Sequence, residues 1–293
     1  MPELPEVETI RRDLESELIG LKLTRVDFIW PGSLKGMAPE NFKKSVIGKE
    51  IVAVERRAKN LAIKLSDNNY LLMHMKMTGH LLIESANKQL NPTGSWQAKD
   101  GPLADPLNQF IRVVFWLNNG KIMAFSDLRK FGYIRLIGEE ELSNIYAEYG
   151  PEPFSKAFSP DYLQTLFAKK KQAIKKVLMD QANVAGIGNI YADEILWAAK
   201  INPETPANTL TSGQFDSIYK FTREILKKAI ELRGTSSSDY RDTKGEKGRY
   251  EARLNAYRRT GLPCKRCQTP IERITLGGRG THFCPNCQKR GSR

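Results

Sequence analysis

All four cysteines of this 293-residue chain fall within its last thirty residues, as Cys264-Lys-Arg-Cys267 and Cys284-Pro-Asn-Cys287. Two CxxC pairs at this separation have the spacing of a four-thiolate zinc ribbon. So short a segment cannot bury a core of its own, so one Zn²⁺ is what fixes its fold. Four thiolates close the tetrahedron, which makes the metal structural and leaves no open position for catalysis. A pair of disulfides is the competing reading. The N-terminus lacks the basic-then-apolar order of a secretion signal, and no apolar run is long enough to span a bilayer. Both point to a soluble intracellular protein, whose thiols stay reduced.

The charge is unevenly placed. Lys and Arg total 46 against 33 acids, a net +13, and residues 234–293 alone carry 14 basic and 5 acidic side chains. Most of the excess therefore sits in the final fifth of the chain, around a zinc–thiolate centre that is itself anionic. A segregated excess of this kind suits a polyanion such as nucleic acid. Composition alone equally admits a basic protein with solvated lysines.

The hydrophobic period changes along the chain. Val7, Ile10, Leu14 and Leu18 form one helical face after Pro5, and Gly20 ends it. To about residue 138 the pattern turns to short strands: LKLTRVDFIW, EIVAVE, LAIKLS, YLLMHM, FIRVVFWL, KIMAFS and YIRLIG, with Asn-rich turns between some of them. This predicts an α+β chain whose first domain, residues 1–138, is an antiparallel β-sandwich with one N-terminal helix. Residues 85–108 read as a long surface loop, and 139–155, with Pro151 and Pro153, as a linker. A helical period over 156–233 predicts a second domain. Residues 234–293 read as a Gly/Ser/charge-rich loop followed by the zinc ribbon, in which TLGGRGTHFC forms a hairpin with Arg279 near its tip.

Several stretches hold candidate chemistry. Pro2 and Glu3 open the chain, and Glu6 follows. A small second residue permits removal of the initiator Met, which exposes a secondary amine. Its pKa of about 7.7–8.0, against about 10.4 for lysine, leaves far more free base at neutral pH. Such an amine forms an iminium with an aldehyde-like carbon, with Glu3 and Glu6 as proton donor and positioner. The plainer reading is a helix start, since Pro and Glu are common in first turns. Asn189 follows Gly186-Ile187-Gly188 and opens a helix, either as a phosphate site or as a tight inter-helix turn. Arg279 between glycines suits phosphate contact or plain solvation. Lys59, Met77, Arg129 and Phe131 carry little signal singly. A metal pair at His74 and His80 lacks further ligands, and His282 reads as structural because the zinc already has four.

Together these stretches resemble the bacterial formamidopyrimidine-DNA glycosylase / endonuclease VIII family. The likeness runs through MPELPEVETI, RRAKNL, HMKMTG, DLRKFG, MDQANVAGIGNIYADEIL and GRGTHFCPNCQ, nearly the whole chain. The PELPEVE form is that of the formamidopyrimidine branch. The resemblance implies a bifunctional glycosylase and abasic-site lyase of base excision repair, acting on oxidised purines in double-stranded DNA by β,δ-elimination. In it Pro2 is the Schiff-base nucleophile, Glu3 the proton donor, Glu6 the residue that orders the N-terminus, and Lys59 a phosphate-contacting assistant. Met77, Arg129 and Phe131 match the trio that fills the void left by a flipped nucleotide. Asn189 on the helix-two-turns-helix, Arg279 and His74 match phosphate contacts. Thr235, Ser236, Ser237, Ser238 and Tyr240 match the loop that caps the lesion. A monomer in the bacterial cytoplasm, associated with the nucleoid through DNA, is the simplest expectation.

Some positions depart from the family pattern. Lys76 stands where a small residue or glycine is usual and adds charge near the DNA. Leu128 replaces a common proline, Arg258 a frequent glycine, and the 85–108 loop is long. An endonuclease VIII-like enzyme for oxidised pyrimidines, or a DNA-binding protein without turnover, remains an alternative on sequence.

Overall fold

The computed structural model describes residues 1–87, 90–236 and 239–290. The chain forms two compact units: Met1–Tyr146 with Leu232–Arg249, and Ala147–Glu231 with the segment from Tyr250 onward.

In the first unit, helix α1 (Leu4–Leu18) buries the predicted stripe of Val7, Ile10, Leu14 and Leu18. Gly20, at φ +84°, turns the chain out of it. Eight antiparallel strands follow: β1 (Leu23–Phe28), β2 (Ile51–Arg57), β3 (Asn60–Leu65), β4 (Tyr70–His74), β5 (Gly79–Ser85), β6 (Ile111–Leu117), β7 (Lys121–Asp127) and β8 (Tyr133–Ile137). They pair as two four-stranded sheets, β1-β6-β7-β5 and β2-β3-β4-β8. The period-2 alternation decides which side chains fill the space between them. Leu61, Ile63 and Leu65 of β3 and Met123 and Phe125 of β7 join the main core with the α1 stripe. Ala62 lies in a second cluster, and Ile122 and Ala124 in a third. The α+β sandwich class expected from the alternation is the one that forms.

Four local readings need revision. GHLLIES, residues 79–85, is the eighth strand, masked in the sequence by its Gly-His opening. Helix α2 (Pro39–Val46) was not predicted; it buries Phe42 and Val46. The 85–108 segment is more than a surface loop, since Trp96 and Leu103 pack with Leu82, Ile111, Val114 and Ile122. The expected linker begins with helix α3 (Glu139–Ala147), whose Leu142 packs with Tyr70, Leu72 and Ile137.

The boundary at 234 also moves. Residues 232–249 belong to the first unit, held by ion pairs from Arg233 to Asp13 at 2.5 Å and Asp242 at 2.6 Å, and from Arg241 to Asp105 at 2.8 Å. Ile83 N donates to Thr243 O at 2.8 Å. Most of these partners are far apart in sequence, beyond the reach of any local pattern.

The second unit contains α4 (Pro160–Ala168), α5 (Ile174–Met179), α6 (Asn189–Ala199), α7 (Ser212–Glu231) and the hairpin β9 (Glu272–Leu276) and β10 (Arg279–Phe283). Ser159 caps α4 by accepting from Tyr162 N at 3.1 Å. Helix α6 is the central element, with Ile190–Leu196 all buried. The turns before it are held by Gln181, whose amide donates to Ile187 O at 2.8 Å and accepts from Gly186 N at 2.9 Å.

Candidate functional site

At the start of the first unit, Glu3 is the N-cap of α1 and is 1 % exposed. Glu6 is fully buried and uses both carboxylate oxygens, accepting from Glu3 N at 2.9 Å and from Thr235 N at 2.7 Å. Helix-capping chemistry and a tether to a distant segment thus meet in one side chain. Gly234, at φ +83°, is required beside it, because an added Cβ would lie 2.8 Å from the Glu6 Oε1. Burial holds the pKa of the terminal amine, here on Met1, below its ordinary value, while Glu3, Glu6 and Asp239 pull it up and Lys59 pushes it down. The amino end of the chain therefore sits among three acids and one lysine.

Lys59 is 7 % exposed, in the two-residue turn between β2 and β3, where Arg57 pairs with Asn60. Its neighbour Ala58 takes φ +54°, a left-handed backbone that glycine adopts more readily. At the end of β4, His74 Nδ1 accepts from Lys76 N at 2.9 Å. Burial, with the Lys76 and Lys59 cations nearby, pushes the His74 pKa down to about 3. His74 is therefore neutral with its proton on Nε2, an uncharged N–H donor. Lys76 has φ +52° and Arg258 φ +56°, left-handed backbone that glycine adopts more readily, at the two positions where the sequence reading expected a small residue or glycine. The Lys76 ammonium lies 5.4 Å from the Tyr133 ring centre.

Met77, Arg129 and Phe131 come together. Arg129 Nη1 lies 3.1 Å from Met77 Sδ, and its guanidinium 4.8 Å from the Phe131 ring centre. Phe131 is 53 % exposed, and Leu128 beside it 40 %. Behind this surface, Asp127 is fully buried and holds the Thr78 hydroxyl, Arg129 N and, at 2.7 Å, Gly132 N. The sequence reading missed Asp127 and Thr78, whose partners lie about fifty residues apart.

The predicted capping loop divides differently. Ser237 and Ser238 lie outside the described residues. Thr235, Ser236 and Tyr240 are buried rather than offering solvent-facing hydroxyls. Ser236 Oγ donates to Tyr240 O at 2.7 Å and accepts from Gly248 N at 2.9 Å. The Tyr240 ring belongs to the sandwich core, with its hydroxyl 3.5 Å from Glu6 O. These residues anchor the segment, because its tyrosine is apolar enough to join the core and its serine closes a local turn. Asp239 was not predicted and approaches the chain terminus.

In the second unit, Asn189 opens α6 and donates to Gly280 O of β10 at 3.0 Å. Lys175 and Asp193, 1 % and 0 % exposed, form an ion pair at 2.6 Å. Lys175 also donates to Thr281 Oγ1 at 2.8 Å, while Asp193 accepts from His282 N at 2.9 Å. Glu194 is fully buried and accepts from the backbone amides of Asn255, Ala256 and Tyr257 at 2.8–3.1 Å. The two consecutive acids of ADEIL thus hold the hairpin and the approach to the ribbon. Nothing in their local sequence separated them from a solvated pair. Arg279 is exposed, just beyond a turn whose Gly277 and Gly278 take φ +58° and +72°.

The Cys264, Cys267, Cys284 and Cys287 thiols lie within 4.8 Å of one another. Zn–S bonds of about 2.3 Å set tetrahedral ligands about 3.8 Å apart, so the donor set fits one Zn²⁺. This is a single structural zinc site. His282 stays outside it, as expected.

Family models match three stretches: a formamidopyrimidine-DNA glycosylase N-terminal domain over residues 1–134, its H2TH domain over 149–241, and a zinc finger found in FPG and IleRS over 261–290. The chain belongs to the formamidopyrimidine-DNA glycosylase family. A curated formamidopyrimidine-DNA glycosylase of Herpetosiphon aurantiacus is 39 % identical over 289 residues, covering 98 % of this chain and all of that one. One from Chloroflexus aggregans is 40 % identical over 291 residues, covering 98 % of each. A solved Lactococcus lactis FPG variant in complex with Fapy-dG-containing DNA superposes with a TM-score of 0.87 at 33 % identity, covering 99 % of this chain and 100 % of that one. A MutM structure with carbocyclic 8-oxo-G-containing DNA gives 0.86 at 33 % identity, with the same coverage. Family members are DNA glycosylases with lyase activity, and the fold, the zinc site and the enzyme class expected of this chain agree with that membership.

Proposed function

We propose that this chain excises oxidised purines, 8-oxoguanine and formamidopyrimidines, from double-stranded DNA and cuts the strand at the resulting site. The supporting observation is the setting of the half-buried amino end, on which the buried Glu3, Glu6 and Lys59 and the half-buried Asp239 all bear. After Met1 is removed, the Pro2 nitrogen attacks C1′ and the bond from C1′ to the base breaks. The base leaves with a proton that Glu3 helps to supply, and opening of the sugar ring leaves an iminium on Pro2. Loss of a C2′ proton then drives β-elimination of the 3′ phosphate, and δ-elimination releases the 5′ phosphate. Glu6 keeps the nucleophile in place, and Lys59 neutralises phosphate charge beside it.

A target base must leave the stack before C1′ can be reached, at a cost of a few kcal/mol. In this reading Met77, Arg129 and Phe131 fill the vacated space, as apolar wedges do elsewhere. His74, Lys76, Asn189 and Arg279 hold the backbone. Thr235, Ser236 and Tyr240 anchor the segment that caps the flipped base. The enzyme works as a monomer in the bacterial cytoplasm.

The test is borohydride trapping on duplexes with 8-oxoguanine opposite cytosine or with an oxidised thymine. A crosslink mapped to Pro2 and formed mainly with the purine is expected. Preference for the pyrimidine would overturn the substrate class. Absence of any crosslink from Met1-free protein would overturn the mechanism.

A further inference from the structure

The three wedge side chains come from two segments, Met77 from the β4–β5 connection and Arg129 and Phe131 from the β7–β8 loop. Beyond the β5–β7 ladder, which pairs Gly79 with Asp127, a buried hydroxyl–carboxylate pair ties one segment to the other. Thr78, next to Met77, is 2 % exposed, and Asp127 is fully buried. The Thr78 hydroxyl donates to Asp127 Oδ1 and accepts from Arg129 N at 3.0 Å. Asp127 Oδ1 also accepts from Arg129 N, at 3.2 Å, while Oδ2 accepts from Gly132 N at 2.7 Å. From the β6 side, Arg112 Nε donates to Asp127 O at 2.8 Å. Gly132 has no room for a side chain, since an added Cβ would lie 2.6 Å from the Phe125 ring.

We propose that Asp127 and Thr78 are positioning residues for base extrusion, holding Met77 in register with Arg129 and Phe131 so that the three act as one wedge. This rests on the wedge reading given above. A carboxylate that merely shaped its own loop would need only the amides of residues 129 and 132. Here the Thr78 hydroxyl stands between the neighbour of Met77 and the backbone of Arg129. Neither residue is exposed enough to meet DNA, so neither acts on the reaction by touching it. An unsatisfied carboxylate at this depth is costly, so the pair favours one arrangement of the two segments.

The experiment measures single-turnover excision of 8-oxoguanine placed opposite cytosine and opposite an abasic analogue, where no partner base has to be parted from it. A 2-aminopurine beside the lesion reports unstacking in the same reaction. Thr78→Val should slow the paired substrate roughly tenfold, the scale of one lost hydrogen bond, with the unpaired substrate little changed. The rise in fluorescence should slow in step. Thr78→Ser, which keeps the hydroxyl, should restore both, and Asp127→Asn should behave as Thr78→Val wherever its melting temperature shows it folded. Equal slowing on both substrates, or no slowing on either, would overturn the proposal. Met77→Ala serves as the control. If it lowers the paired-to-unpaired ratio and Thr78→Val does not, the wedge stands and the positioning role falls. If it leaves the ratio unchanged, the wedge reading fails and takes the proposal with it.

Discussion

Both units use buried carboxylates to tie together parts of the chain that are far apart in sequence, but they do so on different foundations. In the first, the buried Glu6 and Asp127 and the half-buried Asp13 act against a sandwich that already has a large apolar core. In the second, Asp193 and Glu194 hold a hairpin and ribbon whose apolar cluster is centred on Cys264, Ile271 and Cys284. Burial supplies the sandwich with order before any carboxylate acts, whereas the ribbon needs four thiolates and a metal for the same end. Strain does not separate them, since non-glycine residues hold positive φ in both, at Ala58, Lys76 and Lys130 in the first and at Lys200, Arg258 and Gln268 in the second.

The strongest way to break this contrast is to remove zinc. Chelation should abolish DNA binding and expose the hairpin amides to hydrogen exchange, while the sandwich amides stay protected. Uniform loss of protection would mean that the two units do not differ as argued. A smaller effect is expected from Glu194→Gln, which weakens the acceptor for three amides and should cost about 1–3 kcal/mol in denaturant unfolding. A cost well under half that would make Glu194 a bystander.

Arg279→Ala should weaken binding of lesion-containing and plain DNA alike and flatten the salt dependence by roughly one unit of slope. An effect confined to lesion DNA would remove Arg279 from the backbone. His74 sharpens the other side of the comparison. Its pKa is depressed to about 3 in the fold, so the unfolded chain takes up the proton first as pH falls. Its contribution to stability is complete above about 6.5 and declines steadily as pH drops toward 3. NMR titration should find this ring still neutral at pH 5; a midpoint near 6 would contradict the burial argument. The smallest effect is Lys76→Gly, which should stabilise the first unit by about 0.5–1 kcal/mol by relieving a left-handed backbone, read as a small rise in melting temperature.

What could be read from the sequence follows the range over which each signal acts. The α1 stripe, seven strands and the helices of the second unit are local periodicities, and the cysteine spacing is a local count. All were legible. Strand β5 was not, because its Gly-His opening and the unbroken apolar run Leu81–Ile83, which packs on both faces, show no period-2 alternation. Helix α3 reads as a linker because it opens on three consecutive acids and is followed by Pro151 and Pro153, although Leu142, with Ile145 and Tyr146 beside it, docks it. The grouping of Met77, Arg129 and Phe131 was legible only through the family resemblance, since each is individually ordinary. Asp127 and Thr78 were invisible, because a carboxylate's partner across two strands leaves no mark on either stretch. Tyr240 misled for a related reason: a loop-like neighbourhood of Gly, Ser and charges gives no sign that its ring is pulled into a core.

The return of residues 232–249 to the first unit has a consequence for how the molecule is made. As the chain emerges from the ribosome, all eight strands are available long before Arg233, Thr235 and Tyr240 exist. Until then Glu6 lacks the Thr235 amide and Asp13 lacks its arginine, so the nascent sandwich carries an unfinished amino end. The four helices α4 to α7 are synthesised in that interval. The amino end therefore reaches its final form only after helices α4 to α7 have been made, and a fragment ending at residue 146 would lack the residues that hold Glu6 and Asp13 from the far side of the sequence.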